Sequence, residues 1–298
     1  MQIKKNSEKE KLRVVVLYSA GHLGSSVALN LLRKMPEINI VGIVRGDPAP
    51  LTFSGIIKSL RRVKKIGISF GFLLAWQRFT QFLIFYLLAP AINSRHLKSG
   101  WQISKNLGIP SFSTDNINSD ASQNFIMTIK PDIIISTYFN QILKKNILDI
   151  PQIGSINLHP GILPEYKGAF VYFWALRNHE KQTGVTIHWM DEGVDTGDII
   201  VKKNFDILTG DTQQQIVVKS AICGARQLQQ VFRKIDTINN LNEKKLLEEQ
   251  NSYYRFPEKS DYKEYRKIRR FFRTRNILYL ILRRPLRKLI LLKFRKRL

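Results

Sequence analysis

The feature that most constrains how this chain can fold is its alternation of short apolar runs with amphipathic segments. Residues 12–17 form a valine-rich run, residues 40–44 and 131–136 are further apolar runs, and residues 155–160 read as another strand that runs into a loop. Nearly continuous apolar runs of this length are typical of parallel strands covered on both faces. The alternation therefore predicts an α/β fold, a Rossmann-like open sheet of mostly parallel strands with helices on both faces.

The same pattern predicts how the chain is divided. We expect a polar N-terminus over residues 1–12, a catalytic domain over 13–236 with an apolar insertion at about 50–96, and a linker with a basic helical tail over 237–298. The helical periods that separate the strands cover residues 27–35, 101–107, 122–129, 143–148 and 212–235.

Charge and cysteine content bound the function further. The 298 residues carry 48 Lys and Arg against 23 Asp and Glu, a formal net charge of +25, which favours an anionic partner. One cysteine, Cys223, cannot form an internal disulfide, and residues 1–13 lack the apolar stretch of a secretory signal. We therefore expect a cytoplasmic protein.

Polar residues cluster where predicted strands end. Ser19, Gly21 and His22 follow the first strand and precede a helix, so this turn either cradles a phosphate or simply makes a tight bend. Asn157 and His159 lie two residues apart on another strand, which directs both side chains to one face. Both the turn after the first strand and the end of the strand that carries Asn157 and His159 are expected at the carboxyl edge of the sheet, where ligands of such folds bind.

The pair has a definite chemical meaning. An imidazole exchanges protons near neutral pH, and a carboxamide can donate to a carbonyl oxygen that gains negative charge, so His159 and Asn157 suit attack on an acyl carbon. A carboxylate that stabilises the protonated histidine would complete the set. Four candidates occur in one loop, and their spacing does not choose among them: Asp191, Glu192, Asp195 and Asp198.

Three motifs carry a resemblance to a known family. Asn-Leu-His-Pro-Gly-Ile-Leu-Pro at 157–164, Gly-Val-Thr-Ile-His at 184–188 and Asp-Glu-Gly-Val-Asp-Thr-Gly-Asp at 191–198 occur in order. Together with Gly168, they resemble the folate-dependent formyltransferases, which include methionyl-tRNA, glycinamide ribonucleotide and sugar N-formyltransferases. The agreement extends over residues 130–201 and weakens towards residue 13.

The resemblance implies roles for individual residues. Asn157 would hold the formyl oxygen, His159 would assist proton transfer, and Asp195 would support the histidine. The formyl donor would be N10-formyltetrahydrofolate, in a pocket whose implied contacts are Tyr138, Phe139, Asn140, Gln141, Ile142, Asp191, Glu192, Gly193 and Val194. The acceptor side is expected to involve Ser19, Gly21, His22, Gly161 and Gly168.

Two expectations qualify this assignment. Several members have serine after the His-Pro or His-Gly pair, where this chain has Gly161, which puts acceptor contacts in that loop in question. The five histidines do not show the spacing of a zinc site with cysteines or carboxylates, so we expect no metal, and we expect His188 on its buried strand to be structural.

Two segments are not explained by the resemblance. Residues 66–92 are strongly apolar and follow the basic residues Lys58, Arg61, Arg62, Lys64 and Lys65, and residues 263–298 interleave cationic with apolar side chains. We expect segments 58–92 and 263–298 to contact an anionic membrane surface, with the apolar segment dipping into one leaflet. The alternatives are a cap packed on protein for the first segment, and RNA binding or simple packing for the second.

The acceptor is expected to be a small amine on an amino sugar or sugar nucleotide. A barrel of about a hundred residues that helps methionyl-tRNA formyltransferases bind tRNA has no counterpart in the pattern after residue 236, which makes nucleic acid less favoured. The alternatives are a methionyl-tRNA formyltransferase-like enzyme, a formyltetrahydrofolate hydrolase, and a catalytically idle protein that binds membrane or RNA.

Overall fold

The computed structural model describes residues 10–46, 64–83, 98–235 and 252–268. Parts of the segments that the sequence singles out lie outside the described residues, among them the basic residues at 58–62, residues 84–92 and the tail from 269 onwards. The side chains of Arg78, Phe82 and Ile268 are likewise not described.

The centre of the molecule is a seven-stranded sheet in the order β3-β2-β1-β4-β5-β7-β8. Strands β1 to β5 pair in parallel, and β7 and β8 are antiparallel to their neighbours, which confirms the predicted open, mostly parallel sheet. The seven strands are β1 (Leu12–Ser19), β2 (Ile38–Gly46), β3 (Ser111–Thr114), β4 (Ile133–Thr137), β5 (Gly154–His159), β7 (Gln182–Trp189) and β8 (Ile199–Asp206). Two short strands, β6 (Lys167–Gly168) and β9 (Tyr253–Tyr254), pair separately.

Helices cover both faces of the sheet. They are α1 (Leu23–Leu32), α2 (Ile68–Phe82), α3 (Gly100–Leu107), α4 (Asp120–Ile129), α5 (Lys145–Leu148), α6 (Val171–Arg177), α7 (Gln213–Arg233) and α8 (Lys259–Ile268). Alternate residues of β1 enter different cores: Val14 and Val16 pack with α1 and α7, whereas Val15 and Leu17 pack with Ile126 of α4. This alternation explains the valine-rich run, because both faces of a covered parallel strand need apolar side chains.

Helix α1 begins four residues earlier than the periodicity predicts. His22 caps it, since the His22 Nδ1 accepts a hydrogen bond of 3.3 Å from the Ser25 N–H. Ser25 and Ser26 are buried in the first turn although they are polar. Apolar periodicity therefore predicts the helix only from Val27. Its true start is set by the His22 cap and by the small buried residues Ser25 and Ser26.

The apolar insertion packs on the protein through one face of α2. Ile66 and Phe70 enter a second core, where the Phe70 ring stacks on Tyr262 with centroids 4.4 Å apart. Within residues 66–82, this face of the segment packs on protein, as the cap alternative expected. Across residues 10–46, 64–83, 98–235 and 252–268, none of the helices combines the length and apolar character that crossing a bilayer would need.

Residues 252–268 return to the domain, so the sequence boundary at residue 237 divides parts that pack together. Strand β9 pairs with β6, with Lys167 opposite Tyr253 and Gly168 opposite Tyr254. Helix α8 packs on α6 through Tyr265, which is fully buried and stacks on Phe173 at 4.6 Å. Tyrosines spaced three apart in a highly charged segment gave too weak a helical period to predict this docking.

We predict that Phe70→Ala lowers the free energy of unfolding by about 3–5 kcal/mol, because the truncation leaves a cavity in the second core. Phe70 is 0% exposed and Phe72, two residues later on the same helix, is 71% exposed. The matched control Phe72→Ala should change stability by no more than about 0.5 kcal/mol. Urea denaturation of both variants measures the difference, and equal effects would contradict the described packing of α2.

Candidate active site

A pocket of about 660 Å³ opens at the carboxyl edge of the sheet. Strands β1, β4 and β5 are adjacent and parallel, so their ends at Ser19, Thr137 and His159 bring the following loops to one place. The pocket takes walls from these loops, from the loop between β7 and β8, from α2 and from residues 253–256. Its position agrees with the edge at which the sequence places ligand binding.

The Asp195 carboxylate is the centre of the polar network in this pocket. Its Oδ1 lies 3.3 Å from His159 Nδ1 and accepts a hydrogen bond of 3.3 Å from Asn157 Nδ2. Its Oδ2 accepts a hydrogen bond of 2.9 Å from the Gly168 N–H. Three donors from β5 and β6 therefore converge on one largely buried carboxylate, which compensates the charge for its loss of water.

His159 is held with acceptors at both ring nitrogens. Nε2 lies 2.7 Å from the Tyr166 carbonyl oxygen, and Nδ1 faces Asp195. A carbonyl and a carboxylate can only accept, so both nitrogens carry protons in this arrangement and the ring is an imidazolium. The residue is 3% exposed, which means that this charge is buried in the pocket wall.

The charges of this pair stabilise one another. Burial alone lowers the pKa of His159, but the negative charge and hydrogen bond of Asp195, with the Tyr166 carbonyl, outweigh it and raise the pKa above its ordinary value. Burial alone raises the pKa of Asp195, but the charge and hydrogen bond of His159 hold that pKa well below its usual range. Each shift favours the charged form, so the geometry favours a buried ion pair of His159 and Asp195.

His188 belongs to this network, although the sequence argument took it as structural. Its Nδ1 lies 2.6 Å from the Trp189 carbonyl oxygen, which places the proton on Nδ1 and leaves Nε2 to accept from Asn157 Nδ2 at 3.1 Å. The antiparallel register of β5 and β7 sets Asn157 directly opposite His188. Strand pairing was the signal that could have revealed it, and a single sequence does not contain that pairing.

This arrangement occupies both hydrogens of the Asn157 amide. Nδ2 donates one to His188 and one to Asp195, so a formyl oxygen bound at Nδ2 would have to replace one of them. The hydrogen bond from Asn157 Nδ2 to His188 can be given up without leaving a buried donor unsatisfied, because His188 Nε2 acts as an acceptor here. The histidine therefore orients Asn157 before a substrate oxygen arrives.

Local loop structure decides which of the four carboxylates enters the site. Asp191 Oδ1 accepts from the Gly193 N–H at 3.1 Å and from Thr196 Oγ1 at 2.6 Å, which folds the loop on itself. Asp195 then turns inward with a positive φ of 54°, a conformation that aspartate tolerates better than most residues. Glu192 and Asp198 are exposed.

Most residues assigned to the folate side by resemblance lie in the pocket wall. The lining residues from that set are Tyr138, Phe139, Asn140, Gln141, Ile142, Asp191, Gly193 and Val194. Glu192 is not among them, and its carboxylate instead accepts a hydrogen bond of 3.3 Å from the Lys145 N–H. Tyr138 has a positive φ of 53° and its hydroxyl donates to the Val217 carbonyl oxygen at 3.1 Å, so its ring is fixed.

Of the residues expected on the acceptor side, Ser19, Gly21, His22 and Gly168 line the pocket and Gly161 does not. The Gly161 carbonyl oxygen accepts from Thr186 Oγ1 at 2.8 Å, and a Cβ at this position would lie 3.0 Å from His159 Nε2. Gly161 therefore leaves space for the imidazolium. Gly168 needs its lack of a side chain, because φ is +100° and a Cβ would lie 2.3 Å from the Tyr254 carbonyl oxygen.

The wall also contains a group of amide side chains that was not identified from the sequence. Gln77 and Gln81 come from α2, and Gln213 and Gln214 come from the first turn of α7. Gln213 and Gln214 are each 3% exposed, yet Gln213 Oε1 and both polar atoms of the Gln214 amide lack hydrogen-bond partners among the described residues. Buried amides without partners are costly, which makes these two candidates for ligand contacts.

A metal centre finds no support in the described parts of the chain. Across residues 10–46, 64–83, 98–235 and 252–268, His, Cys, Asp and Glu do not form a group of three that could hold an ion. The two histidines near Asp195 instead have ring nitrogens directed at backbone carbonyl oxygens, as described above.

Comparison with known proteins finds similarity to formyltransferases. Residues 98–231 match the model of the Formyl transferase family. Over 124 residues, 42% of the chain, the protein is 41% identical to a methionyl-tRNA formyltransferase of Methylacidiphilum infernorum, of which it covers 39%. Over 151 residues, 50% of the chain, it is 36% identical to the bifunctional polymyxin resistance protein ArnA of Wigglesworthia glossinidia, of which it covers 23%. The match spans less than half of each relative.

Solved structures share the fold at lower identity. A phosphoribosylglycinamide formyltransferase from Streptococcus pneumoniae aligns with a TM-score of 0.51 at 16% identity, over 76% of this chain and 99% of that one. An N-formyltransferase from Helicobacter canadensis, in complex with folinic acid and dTDP-3-aminofucose, aligns with a TM-score of 0.50 at 19% identity, over 82% of this chain and 71% of that one. These similarities support the fold.

We predict that the His159 ring titrates above its ordinary pKa of about 6.5, and that Asp195→Asn lowers this pKa because burial is then uncompensated. The stabilisation due to the raised pKa is present below about pH 6.5 and is lost as the pH rises through the folded value, so the stability gap between the two proteins should narrow there. NMR titration of the His159 ring in both proteins measures this pKa. If the midpoint of the His159 titration were unchanged in Asp195→Asn, the pairing of His159 with Asp195 would be contradicted.

Proposed function

We propose that the protein transfers a formyl group from N10-formyltetrahydrofolate to an amine, because residues 98–231 match the Formyl transferase family and the chain is similar to methionyl-tRNA formyltransferases. The observation that carries the proposal is the convergence of Asn157 and His159 on the buried Asp195 in the pocket wall. That arrangement supplies a positive charge and an amide donor where an acyl oxygen would gain negative charge.

The proposed reaction balances without a further reactant. The acceptor nitrogen forms a bond to the formyl carbon, the bond from that carbon to N10 breaks, the amine loses one proton, and N10 gains one. The His159 imidazolium stabilises the oxyanion through its charge and exchanges a proton once Nε2 turns from the Tyr166 carbonyl oxygen to the substrate, while Asp195 keeps the ring charged and Asn157 binds the oxygen. The co-substrate supplies the activated one-carbon unit.

The pocket walls fit a folate and a small acceptor. A volume of about 660 Å³ lies in the usual range for a small-molecule site, and Phe139, Ile142 and Val194 offer apolar surface to a planar ring system. The donor contacts are proposed at Tyr138, Phe139, Asn140, Gln141, Ile142, Asp191, Gly193 and Val194. Ser19, Gly21, His22 and Gly168 remain proposed acceptor contacts.

We propose an amino sugar, free or on a nucleotide or lipid, as the acceptor. The specific support is the group of carboxamides from α2 and α7, because amides both donate to and accept from sugar hydroxyls. Gln213 and Gln214 hold buried polar atoms without partners among the described residues, and a hydroxylated ligand would satisfy them. In keeping with its single free thiol, Cys223, we place the reaction in the cytoplasm.

A second acceptor is supported by the relatives. Several that match this chain are named methionyl-tRNA formyltransferase, although each matches over less than half of its own length. Incubating the full chain with N10-formyltetrahydrofolate and either amino-sugar nucleotides or methionyl-tRNA separates the two. Formylation of methionyl-tRNA alone would overturn the sugar proposal, folate turnover without any amine would indicate a hydrolase, and undetectable folate binding would indicate an idle protein.

We predict that His159→Ala and Asp195→Ala each lower kcat by about 100-fold or more, because each removes the stabilised positive charge from the reacting oxygen. The exposed His179 gives the control His179→Ala, which should retain full activity. Single-turnover assays with the preferred amine measure the effect, alongside folate binding and thermal unfolding to confirm that each variant is folded. Full activity in either site variant would exclude that residue from the mechanism.

We predict that Gln213→Leu and Gln214→Leu each raise the acceptor KM about fivefold, since each removes hydrogen bonds worth about 1 kcal/mol to a hydroxylated ligand. Stability should not fall, because leucine removes a buried amide that lacks full pairing among the described residues. Acceptor KM, folate affinity and urea denaturation distinguish the outcomes. Loss of stability with an unchanged acceptor KM would assign these glutamines a structural role instead.

A further inference from the structure

Helix α2 has two different faces, and the outward one is apolar. Ile68, Phe72, Trp76 and Phe79 are 81%, 71%, 47% and 51% exposed. Spacings of four, four and three residues place them along one side of a helix. We call these four residues the apolar stripe. A continuous row of large apolar and aromatic side chains in water usually marks an interaction site.

The exposure of the stripe does not come from loose packing of the helix. On the opposite side, Ile66 and Phe70 are buried in the second core, and Leu74, Gln77 and Gln81 line the pocket. The N-cap Gly67 lies against Lys259 of α8, where an added Cβ would be 2.9 Å from the lysine Cγ. The inward face therefore packs on the domain, whereas the stripe is exposed among residues 10–46, 64–83, 98–235 and 252–268.

Cationic side chains surround the start of the stripe. A cleft of about 530 Å³ is lined by the N-terminal turn of α2 and by four basic residues of α8, which are Lys259, Lys263, Arg266 and Lys267. Exposed Lys64 and Lys65 lie just before α2 in the chain. Within residues 64–83 and 252–268, the acidic partners in ion pairs with these six cations are Glu258, with Lys65, and Glu264, with Lys267, so the patch stays positive.

The chain on either side continues this chemistry. Lys58, Arg61 and Arg62 precede α2, and residues 269–298 follow α8 directly with twelve Lys and Arg and no Asp or Glu. Apolar side chains next to clustered cations match a bilayer that contains anionic lipid, where rings enter the interface and amines meet phosphates. An RNA backbone would use the cations but would leave the stripe in water.

We propose that the apolar stripe and the basic residues of α8 form one docking surface for an anionic phospholipid bilayer. The sequence suggested two separate attachments, and their juxtaposition through the Phe70–Tyr262 stack makes them one site. Because α2 is also a wall of the pocket, the active site of the proposed enzyme lies directly behind this surface. The docking itself does not depend on the proposed reaction and can be tested without substrate.

The test is co-sedimentation of the full chain with vesicles of phosphatidylcholine, alone or with phosphatidylserine. Binding should require phosphatidylserine and should weaken from 0.1 to 0.5 M salt as screening shortens to a few ångströms. The stripe variant Phe72→Ser with Trp76→Ser should bind the vesicles with at least about tenfold lower affinity, since interfacial binding scales with apolar area. The charge variant Lys259→Gln, Lys263→Gln and Arg266→Gln should lose at least about tenfold in affinity.

Matched control variants distinguish binding by this surface from binding by exposed apolar area and positive charge elsewhere on the protein. Trp101 and Leu107 on α3 are 51% and 54% exposed, so Trp101→Ser with Leu107→Ser removes a similar apolar area elsewhere. Lys105→Gln, Lys144→Gln and Lys181→Gln remove the same number of exposed charges. Both controls should bind vesicles as the original chain does. An environment-sensitive fluorophore on Phe72→Cys, in a Cys223→Ser background, should shift to the blue with anionic vesicles.

Several results would overturn the proposal. These are no sedimentation at low salt, equal binding to pure phosphatidylcholine, equal losses in variants and controls, or undiminished binding of the stripe variant, which would assign attachment to residues 269–298 alone. Competition by RNA for the same cations with no shift of the fluorophore would favour a nucleic acid. A dimer in sedimentation velocity that Phe72→Ser with Trp76→Ser converts to monomer would mean that a second copy covers the stripe.

Discussion

The site depends on one buried negative charge. Asp195 is stable in the pocket wall because His159 and Asn157 from β5 and the Gly168 N–H from β6 all donate to it. Removing any of them would leave a charged oxygen with too few partners in a region of low dielectric. The same contacts hold the His159 ring in the wall of the pocket.

That requirement couples distant parts of the chain. Gly168 reaches Asp195 from β6, and β6 is held by β9, which belongs to the segment after residue 251. This segment also supplies Tyr253, Arg255 and Phe256 to the pocket and Tyr262 and Tyr265 to the second core. Helix α2 rests on that core, so the pocket wall, the insertion and the C-terminal segment are stabilised by shared aromatic packing.

The motif residues were predictable because their chemistry is local. Asn157 and His159 share a strand face by their spacing, and the resemblance to formyltransferases named Asp195 among four carboxylates that spacing alone left equal. His188 was read as structural, since its contact with Asn157 arises only when β7 pairs antiparallel with β5. Gln213 and Gln214 carry no local signal, because a glutamine at the start of a helix is ordinary until its buried amide is found without a partner.

The sequence by itself determined the alternating α/β order, the strand-end position of the motifs and the excess of positive charge, because these follow from periodicity, spacing and composition. Only the tertiary structure decided that residues 66–82 cap the pocket, that residues 252–268 return to the domain, and that α2 lies beside the cations of α8. Such contacts join residues far apart in the chain. Their free energy comes from burying matched surfaces, and a linear pattern does not specify which surfaces meet.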